Sequence, residues 1–170
     1  MIPKKLYNNF LCIQFHSSNL PKFRGGSPIQ NQIIKGLIKT KISAFKVEKR
    51  VDSGKICSTQ HLSLAGNAHD IYIRMEKTSF QMINRLILKK KIDFYKQKGS
   101  GSFFSRRKPE QSNIKLIKKP NFKKLYNFIR MLDADGYPKA FIGFKEFKIL
   151  LEQIKINKKG LNGKFKIIKK

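Results

Sequence analysis

The amino-acid sequence predicts an α/β fold followed by a small α+β appendage, and three observations support this prediction. Short apolar runs alternate with segments in which apolar residues recur every three or four positions. Their order is strand, helix, strand, turn, strand, helix, which is typical of α/β proteins. A further helix and a predicted β hairpin follow, and they form the appendage. The 170 residues are 40% hydrophobic, which suffices for one domain with an appendage.

Turn and cap residues set the bounds of the predicted elements in the first half of the chain. Ser27 and Pro28 predict an N-cap and a first helical residue, and Gly36 predicts the end of this short helix. The tripeptide at 65–67 introduces the longest helix, which carries an apolar stripe at helical spacing. The predicted strands are residues 11–15, 42–47 and 56–62.

The second half of the chain predicts a connection, a helix and a hairpin. The glycine- and serine-containing segment 93–120 predicts a long connecting loop. A helix is expected at 121–132, and the two strands of a hairpin at 141–144 and 147–156. The last residues are rich in lysine and glycine and predict a frayed basic tail. The predicted units are a domain at 1–92, the loop at 93–120, a helix-hairpin appendage at 121–156 and the tail at 157–170.

The charge of the chain is its most unusual property, with a formal net charge of +28 at pH 7. Such a charge favours an anionic partner, such as a nucleic acid or a membrane surface. Lysine supplies 31 of the 38 basic residues, and arginine only 7. Sites that recognise bases or clamp phosphates depend on arginine, whereas these lysines are spread over the whole chain. The charge therefore indicates no particular binding face.

Several classes of site and location are disfavoured by missing patterns. Cys12 and Cys57 stand alone, without a C-x-x-C motif or a histidine at metal-ligand spacing. The sequence thus predicts neither a disulfide framework nor a metal site, and it favours the reducing cytoplasm. No apolar run reaches the length of a membrane span and no signal-peptide core is present, so no membrane partner is expected. The glycine patterns of dinucleotide sites, P-loops and nucleophile elbows are absent.

Three polar residues lie where α/β sheets place active sites, at strand ends and in the loops that follow. His16 comes directly after the first predicted strand, and Gln14, two residues earlier, points to the same side of that strand. Asp52 lies in the turn between the next two strands. A histidine and a carboxylate can move protons, and an amide beside them can donate a hydrogen bond to a developing oxyanion. These residue types suit acyl transfer to an amine.

Two motifs resemble those of the formyltransferases that use 10-formyltetrahydrofolate. Residues 14–28, Gln-Phe-His-Ser-Ser-Asn-Leu-Pro-Lys-Phe-Arg-Gly-Gly-Ser-Pro, are similar to the family motif Asn-x-His-x-Ser-x-Leu-Pro-x-x-Arg-Gly-x-x-Pro. Residues 51–54, Val-Asp-Ser-Gly, resemble the family's Asp-x-Gly turn, and the spacing between the motifs also fits. The resemblance implies the C-terminal half of a Rossmann-like formyltransferase domain at 1–92, followed by a small α+β C-terminal appendage.

The resemblance also implies a role for each site residue. His16 would move the proton and stabilise the tetrahedral intermediate, and Asp52 would orient His16 or relay protons through water. Gln14 stands where the family has asparagine, and it would take the oxyanion role with one additional methylene. Among the substrate-binding residues, Ser18, Arg24 and Gly25 would shape the site. Arg106 and Arg107 would clamp phosphates of the acceptor.

The resemblance leaves the acceptor and the activity open. Residues 106–112 and 129–141 resemble segments of sugar-nucleotide formyltransferases, which favours the amine of an amino-sugar nucleotide as acceptor. Methionyl-tRNA is the alternative. Family members carry further strands before the region of resemblance, so the chain by itself is expected to be inactive and poorly folded. The competing hypothesis is a non-catalytic basic fragment, and the oligomeric state is not indicated.

Overall fold

The computed structural model describes residues 2–170, which form four helices, eight strands and two short 3-10 helices. The helices are α1 (Lys4–Asn9), α2 (Pro28–Ile34), α3 (Ala68–Ile87) and α4 (Phe122–Arg130). The strands are β1 (Ile13–His16), β2 (Arg24–Gly25), β3 (Lys39–Lys46), β4 (Ile56–Ser63), β5 (Phe103–Phe104), β6 (Ala140–Gly143), β7 (Phe147–Asn157) and β8 (Gly160–Lys169). The 3-10 helices are Pro109–Ser112 and Ile114–Leu116. The predicted mixture of helices and strands is confirmed.

The first sheet has the strand order β1-β3-β4, and both of its strand pairs are antiparallel. Helix α2 has only seven residues and spans about 10 Å, whereas β3 extends over about 26 Å. A helix this short cannot carry the chain back along the sheet, so β3 runs opposite to β1.

Helix α3 lies against this sheet and closes one side of the core. It begins with a capping box, in which the Asn67 side chain accepts from the amide of Asp70 and the Asp70 carboxylate accepts from the amide of Asn67. Ile71, Met82 and Leu86 on its inner face are buried. The helix begins directly after residues 65–67, as predicted. The apolar stripe and the cap both place the start of the helix at this position.

The connection between α3 and α4 follows the surface of the first sheet and is fixed there by backbone hydrogen bonds. Tyr95 exchanges two hydrogen bonds of 2.9 Å with Ile56. Strand β5 pairs in parallel with β2, where the amide of Arg24 donates to Ser102 O and the amide of Gly26 donates to Phe104 O. The predicted connecting loop thus contains a strand, which single-sequence periodicity misses because the strand has only two residues.

The C-terminal unit is a three-stranded antiparallel sheet in the order β6-β7-β8. The predicted hairpin of β6 and β7 is confirmed. The expectation of a frayed basic tail at 157–170 is wrong, because β8 pairs with β7 along most of its length. The turn between them is stabilised by Asn157, whose side chain accepts hydrogen bonds from the amides of Lys159 and Gly160. The lysines of β8 point to solvent and conceal the strand pattern in the sequence.

One apolar core joins the first sheet to the C-terminal unit. Met131 and Leu132, which follow α4, are fully buried beside core residues of the first sheet and of α3. Arg130 fastens the same segment: its Nη1 donates to Leu64 O at 2.6 Å and to Gly66 O at 2.7 Å. Burial lowers the pKa of this guanidinium, and these carbonyl partners stabilise it where water is excluded.

Replacing Arg130 with methionine tests this fastening. The variant keeps the apolar volume but leaves the carbonyls of Leu64 and Gly66 without their donor. Hydrogen bonds to charged groups contribute about 1.5–3 kcal/mol each, so the loss of two should lower the free energy of unfolding in urea by about 3–6 kcal/mol. Lys123→Met on the exposed side of α4 is the control and should change it by less than about 0.5 kcal/mol. Equal losses in the two variants would contradict the assignment.

Candidate active site

His16 is buried at the end of β1, and both of its ring nitrogens face acceptor oxygens. Its Nε2 lies 2.7 Å from the carbonyl oxygen of Phe23. Its Nδ1 lies 3.5 Å from Oδ2 of Asp52. A carbonyl oxygen can only accept, so Nε2 donates to Phe23 O, and Nδ1 is the nitrogen that faces the carboxylate. The fold thus brings the two predicted residues together and places a proton-binding ring between a carbonyl and a carboxylate.

Asp52 is held in the turn between β3 and β4 with its carboxylate inside the protein. Its backbone is left-handed, with a φ of 50°, a conformation that aspartate tolerates better than most residues. The side chain is 5% exposed, and Oδ2 accepts a hydrogen bond of 2.7 Å from the amide of Gly25. The same oxygen faces His16. This carboxylate therefore links the turn, the β2 strand and the histidine.

Gln14 and Asp52 line the same cavity, which we call the Asp52 cavity. Its volume is about 560 Å³, and its wall includes Tyr7, Phe45 and Arg106. Gln14 is exposed on β1, where it stands opposite Phe45 of β3. Its amide therefore lies beside the space that a ligand would fill. His16 is buried directly behind Asp52, so the three predicted catalytic residues occupy one region of the fold.

Gln97 was not predicted from the sequence, and it connects Arg24 to the turn that carries Asp52. Its Nε2 donates to Asp52 O and to Gly54 O, at 2.9 Å each. Its Oε1 accepts from Nε and Nη2 of Arg24, at 3.2 and 2.5 Å. All the hydrogen-bonding atoms of this amide are thus engaged in fixing the turn. No motif surrounds Gln97, so only its contacts in the folded chain disclose this role.

The chain at 103–106 crosses the two glycines that follow Arg24 at very short range. A Cβ atom on Gly25, whose φ is +90°, would lie 2.2 Å from Phe104 O. A Cβ atom on Gly26 would lie 2.3 Å from the Cα of Arg106. The rings of Phe23 and Phe104 also stack, with centroids 5.3 Å apart. Both positions therefore require glycine, because the connection packs directly on β2, whose Gly25 amide binds the Asp52 carboxylate.

The other predicted substrate-binding residues have distinct environments. Ser18 is fully buried, and its hydroxyl donates to Lys22 O at 2.6 Å, so it shapes the loop after β1. Arg24 is turned toward Gln97. Arg106 lines the Asp52 cavity and also a second cavity of about 420 Å³, which we call the Arg107 cavity. Arg107 lines only the second of these two.

Two further properties complete the description of residues 2–170. No group of three or more histidine, cysteine or acidic side chains in this part of the chain could hold a metal ion. Within the same residues, no helix combines the length and the apolar character that a bilayer crossing requires.

Comparison with known families identifies both units of the chain. The model of the formyl transferase family matches residues 1–87, which is half of the chain. A second model, described as the C-terminal domain of methionyl-tRNA formyltransferase, matches residues 109–168. The chain therefore belongs to the formyl transferase family. This assignment confirms the resemblance carried by the motifs around His16 and Asp52.

Individual relatives give the same assignment. The structure of methionyl-tRNA formyltransferase from Clostridium thermocellum superposes with a TM-score of 0.93 at 39% identity, covering 100% of this chain and 74% of that one. Methionyl-tRNA formyltransferase from Fusobacterium nucleatum is 28% identical over 95% of this chain and 54% of its own length. A sugar N-formyltransferase from a Shewanella species shares the fold, with a TM-score of 0.71 at 16% identity, covering 82% and 59% of the two chains. The chain spans about half the length of the Fusobacterium nucleatum relative and a smaller share of other curated relatives.

Replacing Gly25 with alanine tests the crowding at the site. We expect a loss of stability larger than the roughly 1–2 kcal/mol of a left-handed alanine, because the new methyl group would strike Phe104 O. The measurement is urea unfolding together with hydrogen exchange of the Arg24 and Gly26 amides, which should become faster. Gly36→Ala is the matched control, since Gly36 has a φ of +80° and open space around it. The same loss in both variants would exclude the steric argument.

Proposed function

We propose that this protein transfers the formyl group of 10-formyltetrahydrofolate to the α-amino group of methionyl-tRNA. The observation that carries the proposal is the pair of His16 and Asp52, 3.5 Å apart and fixed beside a cavity that Gln14 also lines. A proton-moving pair with an amide donor suits attack of an amine on a formyl carbonyl. Membership of the formyl transferase family supplies the reaction class.

The Asp52 cavity has the size and lining that a folate ring requires. Its volume of about 560 Å³ lies within the range of small-molecule sites. Tyr7 and Val51 offer apolar surface to a flat ring, and the amide of Gln14 offers both a donor and an acceptor. These residues would hold the donor near Asp52. When bound, the donor supplies a formyl group whose carbonyl carbon the acceptor amine attacks.

Each residue of the site would have a separate role in the transfer. Gln14 Nε2 would donate a hydrogen bond to the formyl oxygen as negative charge develops there. His16 would hold a proton at Nδ1 and exchange it with the Asp52 carboxylate, which lines the cavity and would carry the proton lost by the attacking amine to the nitrogen of the departing tetrahydrofolate. The carboxylate of Asp52 would orient the ring, because the Gly25 amide fixes its own position. Gln97 would keep the Asp52 turn in place.

The proposed acceptor, methionyl-tRNA, differs from the acceptor that the sequence favoured. Residues 106–112 and 129–141 favoured an amino-sugar nucleotide. The relatives favour the alternative: identity is 39% with the methionyl-tRNA formyltransferase of Clostridium thermocellum but 16% with the sugar enzyme of the Shewanella species. The match of residues 109–168 to a methionyl-tRNA formyltransferase C-terminal domain supports the same acceptor.

The charge of the C-terminal hairpin also supports a polyanionic acceptor. Residues 145–170 contain nine lysines and two glutamates. Lys164 and Lys166 lie two residues apart on β8, on one face of the strand, and both are exposed. Phosphates of a nucleic acid attract such a surface through release of counterions. The lysines are spread along the sequence and indicated no binding face there. In the folded chain, those on β8 form one surface that is suited to RNA.

The catalytic assignment is tested by substitution at the three site residues. We expect Asp52→Asn to lower formyl transfer by roughly 10²- to 10⁴-fold, as for loss of a general acid-base group. Gln14→Leu should lower it by roughly 10²- to 10³-fold because the oxyanion donor is lost, and Gln14→Asn should restore part of the rate. His16→Ala is compared with His61→Ala, an exposed histidine on β4.

The measurement is the rate of N-formylmethionyl-tRNA formation, with circular dichroism to verify folding. His16→Ala and His61→Ala with equal turnover would rule out the role of His16. No formyl transfer by the unmodified chain would contradict the proposal, and would agree with the inactive fragment that the sequence also predicted.

The acceptor is tested by presenting both candidates to the protein. We expect formylation of methionyl-tRNA and none of a nucleoside-diphosphate-linked amino sugar. The double variant Lys164→Gln, Lys166→Gln should raise the KM for methionyl-tRNA several-fold with little change in kcat, because phosphate contacts contribute to binding rather than to chemistry. Lys89→Gln, Lys90→Gln, after the end of α3, is the control of equal charge. Preferential formylation of the amino sugar would reject the tRNA acceptor.

A further inference from the structure

The outer face of α3 carries large apolar side chains that no other part of residues 2–170 covers. Ile73, Phe80 and Ile87 are 53%, 64% and 73% exposed. They recur every seven residues, which is close to two turns of a helix, so they lie in one row along α3. Ile83 is exposed beside this row. We call these four residues the α3 stripe.

The α3 stripe is separate from the face by which α3 packs on the first sheet. Ile71 and Met82 of the inner face are buried in the shared core. At about 100° per residue, Phe80 lies about 160° around the helix axis from Met82. A helix on the surface of a globular protein ordinarily has one apolar face toward the core and a polar face opposite to it. Helix α3 therefore has a second apolar face that this fold does not use.

The positions of the stripe residues make this face complementary to itself. Ile73 and Ile87 are each seven residues from Phe80, in opposite directions along the helix. A twofold axis at Phe80 would pair two α3 helices antiparallel, with Ile73 of one copy opposite Ile87 of the other and the two Phe80 rings in contact. Each contact then occurs twice, as in other isologous interfaces. The row is about 21 Å long, so the contact extends over most of the helix.

The charges along α3 favour the same antiparallel direction. Residues 68–77 contain two acidic and two basic side chains, whereas residues 78–91 contain four basic side chains and no acidic one. Antiparallel pairing places each positive half beside a neutral half, whereas parallel pairing would place the two positive halves together. In the antiparallel pair, the positive end of each helix dipole also lies near the negative end of the other.

The residues on either side of the row also suit a second copy. Lys77 and Asn84 lie on one side of Phe80, and Glu76 and Ile83 lie on the other side. A twofold axis at Phe80 brings each side against the same side of the other copy. Lys77 then meets the amide oxygen of Asn84, which can accept its hydrogen bond. An anionic lipid surface would instead repel the exposed carboxylate of Glu76.

We propose that two copies of this chain associate through the α3 stripe as an antiparallel, twofold-symmetric helix pair. This association goes beyond formyl transfer and does not depend on it. Burial of the exposed apolar side chains drives the association, and the net charge of +28 on each copy opposes it. A contact between single helices is small for a protein interface, so the dissociation constant is expected to be roughly 1–100 µM.

Sedimentation velocity of the nuclease-treated full chain tests the association. We expect an equilibrium between monomer and dimer, in which the dimer fraction rises between about 0.15 M and about 0.5 M salt. The reason is that salt screens the repulsion between the two positive copies and leaves apolar contacts intact. Association that weakens as salt rises would mean that ion pairs or a bound polyanion hold the copies together, and it would overturn the proposal.

Two variants with the same change of charge test the location of the contact. Phe80→Glu should weaken the association about tenfold or more, because it brings two carboxylates together at the axis. Ile38→Glu is the control, since Ile38 is an exposed apolar residue outside α3, and it should stay within about twofold. Both positions are exposed, so the urea midpoints of the two variants should match that of the unmodified chain. Equal association of the two variants would exclude the α3 stripe.

Disulfide formation tests the direction of the helix pair in chains that also carry Cys12→Ser. An equimolar mixture of Ile73→Cys and Ile87→Cys should form a mixed disulfide, identified by the masses of the linked peptides. Neither variant should link to itself, because equal positions lie about 21 Å apart in the antiparallel pair. Phe80→Cys should link to itself. Self-linking of Ile73→Cys would show parallel pairing and contradict the proposed axis.

Vesicles of phosphatidylglycerol and phosphatidylcholine test the other occupant of the face. We expect Phe80→Glu to bind them as well as Ile38→Glu does, because the α3 stripe does not contact lipid. A chain that sediments as a monomer, with vesicle binding that only Phe80→Glu abolishes, would assign the stripe to a lipid surface instead of a second copy. A monomer at every concentration without vesicle binding would overturn the proposal as well.

Discussion

The Asp52 carboxylate accepts a hydrogen bond from the backbone amide of Gly25, and the rest of the site is arranged around this hydrogen bond. The bond requires Gly25 to lie in β2, which pairs with β5 of the connection. It also requires the turn of Asp52 to stay fixed, which Gln97 ensures from the same connection. The position of the Asp52 carboxylate beside His16 therefore depends on three chain segments. They are the turn of Asp52 itself, β2, and the connection that carries Gln97, and the last two are distant from the turn in sequence.

The parts of the site that could be predicted from sequence are those that local chemistry determines. A histidine at a strand end and an aspartate in a turn occupy positions set by their neighbours along the chain, and both predictions agree with the geometry. The contribution of Gln97 could not be predicted, because its four hydrogen bonds reach residues about 45 and 73 positions away. The antiparallel direction of β3 could not be predicted for a similar reason, since the length of α2 matters only relative to the length of the strands that it connects.

Lysine and arginine play different parts in the electrostatics of this molecule. Most lysines are exposed, keep their hydration and raise the potential over a broad surface. Arg107 and Arg130 are partly removed from water, and their surroundings differ. Carbonyl oxygens accept from Arg130, whereas Nε of Arg107 is buried and finds no acceptor within residues 2–170. The first arrangement stabilises the fold, whereas in the second the desolvation of the unpaired donor is not compensated. The number of basic residues alone could not separate these roles.

The core shared by the first sheet and the C-terminal unit has a consequence for how such proteins vary. Met131 and Leu132 fill the interior that α3 and β4 also line, so the two matched family segments share one buried core. A chimera that exchanges only the C-terminal segment would inherit mismatched packing at this seam. Exposed residues of the hairpin strands, by contrast, can change without disturbing this interior.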